Sequence, residues 1–290
     1  MIRIHEDRTL FQESVKFTAA KSGFDTRLIE KDYFCSVLLE YLTADGSLVF
    51  KGGTCLTKVY TDFCRLSEDL DFMIPTAEGA SRSERSRAAD PFKKMMRSLE
   101  ERLAAFQIVK QVAGANNSTQ YVGAVSYASL FGREIETIKI EVALREPLLL
   151  SVNSLPAKCI LMDPQSEDTV VPPITSKCLS KTEAFAEKFR AALTRREVVI
   201  RDFFDIEYAA RHGVIQPDSP ELLKLVAKKI AMPGNAPVDV SGPRMAELRE
   251  QVEPDLKPVL RSADFQAFDL DRAIEIATEM AKRLESLAAA

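Results

Sequence analysis

Apolar and polar positions along this chain follow two periods, and the changes between them outline the elements. Residues 6–44 read as two helices, "DRTLFQESVKFTAAKSG" and "DTRLIEKDYFCSVLLEYL". Gly23 stops the first, and Asp25 or Thr26 offers an N-cap to the second. "SLVF" is a short apolar strand with Gly52 and Gly53 close behind it; in "TCLTKVYTDF", Leu56, Val59, Tyr60 and Phe63 then fall at helical spacing. "DLDFMI" alternates like a strand and ends at Pro75. "TAEGASRSERSRAAD" reads as a polar loop, followed by an amphipathic helix, "DPFKKMMRSLEERLAAF", with Asp90 as cap and Pro91 at its first position. "QIVKQV", "QYVGAVSYASL" and "ETIKIEVAL" are strand candidates, broken most clearly at "NN" and "FGRE". "LLLSVNSLP" is a further extended piece, and the proline-rich "DTVVPPIT" follows it. From Ser176 onward the chain reads as mostly helical, with one long loop, "AMPGNAPVDVSGPR".

This order predicts an α+β protein: a small mixed β-sheet core within residues 46–165, flanked by N-terminal helices, and a largely helical C-terminal domain. A boundary at Pro172–Pro173 gives domains 1–172 and 173–290. A chain of 290 residues, 46% hydrophobic and 28% charged, can bury a sizeable core. No apolar run approaches bilayer length, and "MIRIHEDRTLFQESV" carries charges where a secretory signal is apolar, so a cytoplasmic protein without a membrane partner is expected. Five cysteines without a CxxC pair argue against a disulfide framework or structural zinc, and only two histidines are present. Chemistry, if any, falls to carboxylates and lysines.

The stretch "FKGGTCLTKVYTDFCRLSEDLDF" concentrates such groups. Gly52 and Gly53 ahead of a helix let a ligand approach main-chain N–H groups, which suit a phosphate, although the same pair also makes an ordinary turn. Asp69 and Asp71, two apart in a strand, share a face at roughly 6–7 Å. A hard divalent cation would neutralise their repulsion; a solvent-facing strand edge is the structural alternative. In "TIKIEVAL", Glu141 shares a face with Thr137 and Lys139; if that strand pairs beside "DLDF", Glu141 completes a three-carboxylate cluster of the kind that holds two metals.

These residues carry a resemblance. "KGGTCL…RLSEDLDF" resembles the signature of DNA polymerase β-type nucleotidyltransferases and, more narrowly, of the AbiEii/MenT family of toxin nucleotidyltransferases. Arg65, Ser67, Asp69 and Asp71 fill that family's Arg-x-Ser-x-Asp-x-Asp strand. Downstream, in "KFRAALTRREVVIRDFFDI", Lys188, Arg195 or Arg196, Arg201, Asp202 and Asp205 match the order of its helical region. The family's third metal carboxylate is usually an aspartate, so Glu141 is a departure. The resemblance implies a Mg²⁺-dependent enzyme (two ions possible, Mn²⁺ as substitute) with Asp69, Asp71 and Glu141 at the metal. It places Gly52, Gly53, Thr54 and Ser67 at the triphosphate, Lys188 on the nucleotide and Asp205 beside it. NMP would pass from NTP to an RNA acceptor, the tRNA 3′ end, and the protein would be the toxin partnered by a cognate antitoxin. Two alternatives stay open: a nucleotidyltransferase acting on a protein or small molecule, and a non-catalytic nucleotide- or RNA-binding module.

The charge distribution adds one expectation. Net charge is −4, yet residues 80–110 hold eight Lys/Arg against four Asp/Glu, and residues 177–201 seven against three. If RNA is the partner, Arg82, Arg85, Arg87, Lys93, Lys94 and Arg97 are expected to flank the pocket, with Arg195 and Arg196 approaching from the helical domain. Lys181, Lys188 and Arg195, seven apart, form a stripe distinct from the apolar Phe185, Phe189 and Leu193. Asp202 and Asp205 could equally be surface ion pairs of that helical region.

Overall fold

The computed structural model describes residues 2–44 and 46–289, which divide into two compact units, 1–179 and 180–290. The first unit is built on a mixed sheet. Two helices precede it, α1 (Arg8–Ser22) and α2 (Thr26–Thr43). Their ends follow from local chemistry: Asp7 and Asp25 accept the N-cap bonds from Leu10 and Arg27, and Gly23 closes α1 in the left-handed conformation at φ 78°.

The strands are β1 (Val49–Lys51), β2 (Leu70–Met73), β3 (Phe106–Ala115), β4 (Gln120–Ala128), β5 (Ile135–Ala143), β6 (Asn153–Ala157) and β7 (Ile174–Cys178). They lie in the order β3-β4-β5-β2-β1-β7-β6. β2 runs antiparallel to β1 and parallel to β5, so the aspartate strand sits inside the sheet. β7 follows Pro172–Pro173 and joins the sheet by parallel pairing of Phe50 with Cys178 and antiparallel pairing with β6.

Alternation sorts the two faces. Phe50, Leu70, Phe72, Ile138, Ile140 and Val142 enter one core cluster with Ile29, Leu38 and Leu39 of α2. Asp71 and Glu141 therefore project from the opposite face. Between β2 and β3 run α4 (Arg82–Ala88), α5 (Asp90–Arg97) and α6 (Leu99–Arg102), with α3 (Gly52–Cys55) earlier, directly after β1. The segment expected to be a polar loop thus contains a helix: Ser81 and Glu84 form a reciprocal capping box at its start. α4 buries none of its side chains, which is why no apolar period betrayed it. Beyond α3 the helix widens into a π-turn over Leu56–Tyr60, and Asp62 and Phe63 then take positive φ.

The second unit is helical: α7 (Lys181–Thr194), α8 (Ile200–Arg211), α9 (Pro220–Ala231), α10 (Gly242–Gln251), α11 (Ser262–Ala267) and α12 (Leu270–Ala289). Phe185, Phe189 and Leu193 of α7 are fully buried, as are Phe203, Phe204 and Ile206 of α8. Among the described residues no helix is long and apolar enough to cross a membrane.

Candidate functional site

In the first unit the site is a meeting of β1, the start of α3, and β2. Gly52 has φ +75°, which favours glycine, and a Cβ there would lie 2.4 Å from Asp71 Oδ2. A Cβ on Gly53 would lie 2.7 Å from Arg65 Nη2 and 3.1 Å from Ser67 Oγ. Gly52 is favoured both by its backbone conformation and by the close approach of Asp71, whereas at Gly53 the close approach of the Arg65 and Ser67 side chains alone favours glycine. Thr54 is buried, and its hydroxyl donates to the Asp69 carbonyl, fixing the segment that enters β2. Arg65 is also buried, with Nη1 donating to the Leu66 carbonyl at 3.3 Å. Gly52, Gly53, Thr54, Arg65, Ser67, Asp69 and Asp71 are thereby brought into one place.

The sheet register adds charges from the neighbouring strands. Lys51 stands opposite Asp71 on β1, and Glu141 stands beside it on β5. Pairing of β5 with β2 meets the condition on which the third carboxylate depended. Glu141, however, is already engaged: Lys139 Nζ holds its Oε2 at 3.1 Å. The Lys139 backbone N–H also donates to Asp69 Oδ1 at 3.3 Å. Burial and the Glu141 carboxylate push the Asp71 carboxyl above its ordinary value, with Asp69 adding to them and Lys51 and Lys139 opposing. Burial works against charge on Lys139, yet Glu141, Asp71 and Asp69 hold its ammonium above the ordinary value.

Among the described residues no group of three or more His, Cys, Asp or Glu side chains is arranged to hold a metal ion. Asp69, just ahead of β2, and Asp71, within it, present hard oxygen donors, and a divalent cation would relieve the cost of holding the Asp71 carboxylate charged where burial and Glu141 oppose it. The donor set fits such an ion through these two aspartates.

In the second unit, Lys188 of α7 is clasped by α8. Its Nζ lies 2.8 Å from both Asp202 Oδ1 and Asp205 Oδ2. Arg195, just past the end of α7 and half exposed, reaches Asp202 Oδ2 at 3.0 Å. The two aspartates are one turn apart on α8, so a single ammonium meets both. Only 11% of the Lys188 side chain and 3% of each aspartate is exposed, so this is a buried ionic node and not a solvated helix face.

The sequence matches, over residues 38–286, the family described as nucleotidyl transferase AbiEii toxin of type IV toxin–antitoxin systems. The chain belongs to the AbiEii family. Comparison with curated proteins finds no match. Among solved structures, JHP933 from Helicobacter pylori is similar with a TM-score of 0.53 and 18% identity, over 91% of this chain and 96% of that one. A second H. pylori protein, provisionally assigned as a nucleotidyltransferase, is similar with a TM-score of 0.51 and 20% identity, over 89% and 96% of the two chains. At these identities the likeness concerns the fold.

One expectation for this AbiEii chain is corrected by the geometry. The basic segment of residues 80–110 was expected beside the pocket, but α5 packs on the other side of the sheet. Phe92 and Met96 enter the cluster containing Leu70, Phe72 and Val142, and the Tyr41 hydroxyl of α2 donates to the Met95 carbonyl at 2.9 Å. Lys93 lies 5.0 Å over the ring of Tyr121, which pairs with Val142, so it too stands behind the face that carries Asp71. Arg85 and Lys93 are further committed internally, to the Asn117 carbonyl and to Asp90.

Sequence reasoning also missed a buried pair that anchors the glycine segment. Lys58 Nζ, fully buried, lies 2.6 Å from Asp32 Oδ1 of α2 and donates to Ser36 Oγ at 2.9 Å. The other oxygen of Asp32 accepts from Ile160 N at 3.1 Å. Lys58 sits in the turn that continues α3, so the pair ties that turn to α2.

Proposed function

We propose that this AbiEii-family protein is a Mg²⁺-dependent nucleotidyltransferase toxin that moves NMP from NTP to RNA, with the tRNA 3′ end as acceptor and a cognate antitoxin as its partner in the cell. The observation that carries the reading is the convergence of the Gly52–Gly53 helix start with Arg65, Ser67, Asp69 and Asp71. The glycines allow a triphosphate to approach the N–H groups that open α3, while Arg65 and Ser67 add a positive charge and a hydroxyl beside them. A divalent cation on Asp69 and Asp71, Mg²⁺ or Mn²⁺ in its place, supplies charge neutralisation at the phosphates when bound.

The acceptor hydroxyl oxygen forms a bond to the α-phosphorus, the bond from that phosphorus to the pyrophosphate oxygen breaks, and the hydroxyl proton is lost to a base. The protein's part is to hold the phosphates and the attacking oxygen in line. Lys188 is assigned to the nucleotide phosphates and Asp205 to holding that ammonium in place. The family resemblance supplies the RNA acceptor.

The test is incubation of the purified protein with Mg²⁺, each α-labelled nucleotide in turn, and total cellular RNA. Label is expected in RNA of tRNA size with release of pyrophosphate, and its loss is expected in Asp69→Ala and Asp71→Ala proteins that remain folded. Label entering protein in place of RNA overturns the acceptor. Absence of metal-dependent pyrophosphate release overturns the enzyme.

A further inference from the structure

The charges on the sheet face around Asp71 form two adjoining rows. One row runs across three strands, from Lys51 through Asp71 to Glu141, as fixed by the pairings of β1 with β2 and β2 with β5. The other, two residues along each strand on the same face, joins Asp69 to Lys139, whose backbone N–H donates to the Asp69 carboxylate at 3.3 Å. Three carboxylates therefore share the face with two ammonium groups. Lys139 is placed to act on more than one of them: its side chain closes on Glu141 at 3.1 Å while its main chain orients Asp69.

We propose that Lys139 is a built-in counter-ion of this site, and that the Lys139–Glu141 pair limits it to a single divalent cation held by Asp69 and Asp71. The inference rests on the reading of those aspartates as metal ligands. A two-ion site needs a third free carboxylate, or a shared one, to pay for the repulsion between the cations. Here Glu141 is the carboxylate the register supplies, and an ammonium stands on it. A second cation would have to displace that ammonium and then face it at close range, where like charges repel. Lys139 is half exposed, so its side chain is held by this charge arrangement and not by packing.

The experiment counts bound Mn²⁺ by electron paramagnetic resonance on the full chain, with metal alone, for the wild type, Lys139→Met, Lys139→Gln and Asp71→Asn. One Mn²⁺ per wild-type chain is expected, and Asp71→Asn should lose it. Both Lys139 variants should bind a second ion, or bind the first at least about tenfold more tightly, because an ammonium no longer opposes the metal. Their melting temperature in chelator should fall below that of the wild type, and Mn²⁺ should raise it by more than it raises the wild type. Two ions on the wild type, or Lys139 variants that bind and melt as the wild type does, overturn the inference and leave the aspartate site standing. No Mn²⁺ bound by the wild type or either Lys139 variant overturns the aspartate reading itself, and the inference with it.

Discussion

A side chain on Gly52 would have to enter the space of the Asp71 carboxylate: its first carbon would lie 2.4 Å from Oδ2 and 2.8 Å from Asp71 Cβ. The backbone at Gly52 is left-handed as well, at φ +75°. Gly52→Ala is therefore expected to lose roughly 1–2 kcal/mol from the backbone alone and to turn Asp71 away from its present position. Thermal unfolding should register the first effect. Loss of Mn²⁺ binding in a protein that still folds should register the second, and a variant with unchanged metal binding would show that Asp71 tolerates the displacement.

The Lys58–Asp32 pair lies in the interior of the first unit, 0% and 2% exposed at the side chains. Taking away one partner strands the other charge. Lys58→Met is expected to cost about 3–5 kcal/mol, and the double variant Lys58→Met, Asp32→Leu to recover part of it. Chemical denaturation of the two variants measures this. Equal stability of the single and double variants would mean that losing the hydrogen bond from the Ile160 N–H to Asp32 cancels the relief of the stranded charge.

For Lys188, stability and function are tied together. Lys188→Ala leaves Asp202 and Asp205, each 3% exposed, facing one another without the shared ammonium. A loss of about 3–5 kcal/mol is expected, with reduced nucleotide binding in assays run well below the lowered melting temperature. Lys188→Ala together with Asp205→Asn should restore stability more than binding. Recovery of both would make the lysine a structural support only.

Glu207 of α8 gives a pH dependence whose sign can be worked out. Burial raises its carboxyl above the ordinary value against the pull of Arg211, which it meets at 2.9 Å. Its second oxygen is buried without a hydrogen-bond partner among the described residues. A raised pKa means that ionisation is harder in the folded chain, so the penalty is present above the folded pKa and fades as pH falls through it. Glu207→Gln should therefore melt higher than the wild type at pH 7, and the gap should narrow as pH is lowered toward the ordinary glutamate range. A gap that is constant with pH would assign the effect to packing.

Much of the fold was readable wherever a local rule decides. Asp25 and Gly23 mark helix ends through side-chain acceptance and left-handed backbone, and both do so here. The capping box of Ser81 and Glu84 was equally present in the sequence, but a helix that buries none of its residues gives no apolar stripe to confirm it. For the site, Asp69 and Asp71 are two apart in one segment, so their association needs only the strand period. Glu141 depends on a parallel pairing that no local pattern specifies. Lys58 was invisible for a different reason: lysine reads as a surface residue unless its partner is known, and Asp32 lies 26 residues earlier. The basic helix behind the sheet shows the same gap, since charge content in a segment does not say which face of a sheet receives it.

The pairing of β2 with β5 also has a consequence during synthesis of the chain. Asp69 is made early, whereas Lys139, which orients it, follows 70 residues later. Closing that distance costs chain entropy before any contact repays it, so this part of the sheet belongs to the slow, non-local class of folding events. Until β5 has left the ribosome the aspartates have neither Glu141 nor its ammonium beside them, and a product truncated ahead of Ile135 carries the carboxylate strand with an open edge where β5 should be. Such a chain keeps Lys51 opposite Asp71 but lacks the carboxylate and the ammonium that β5 contributes.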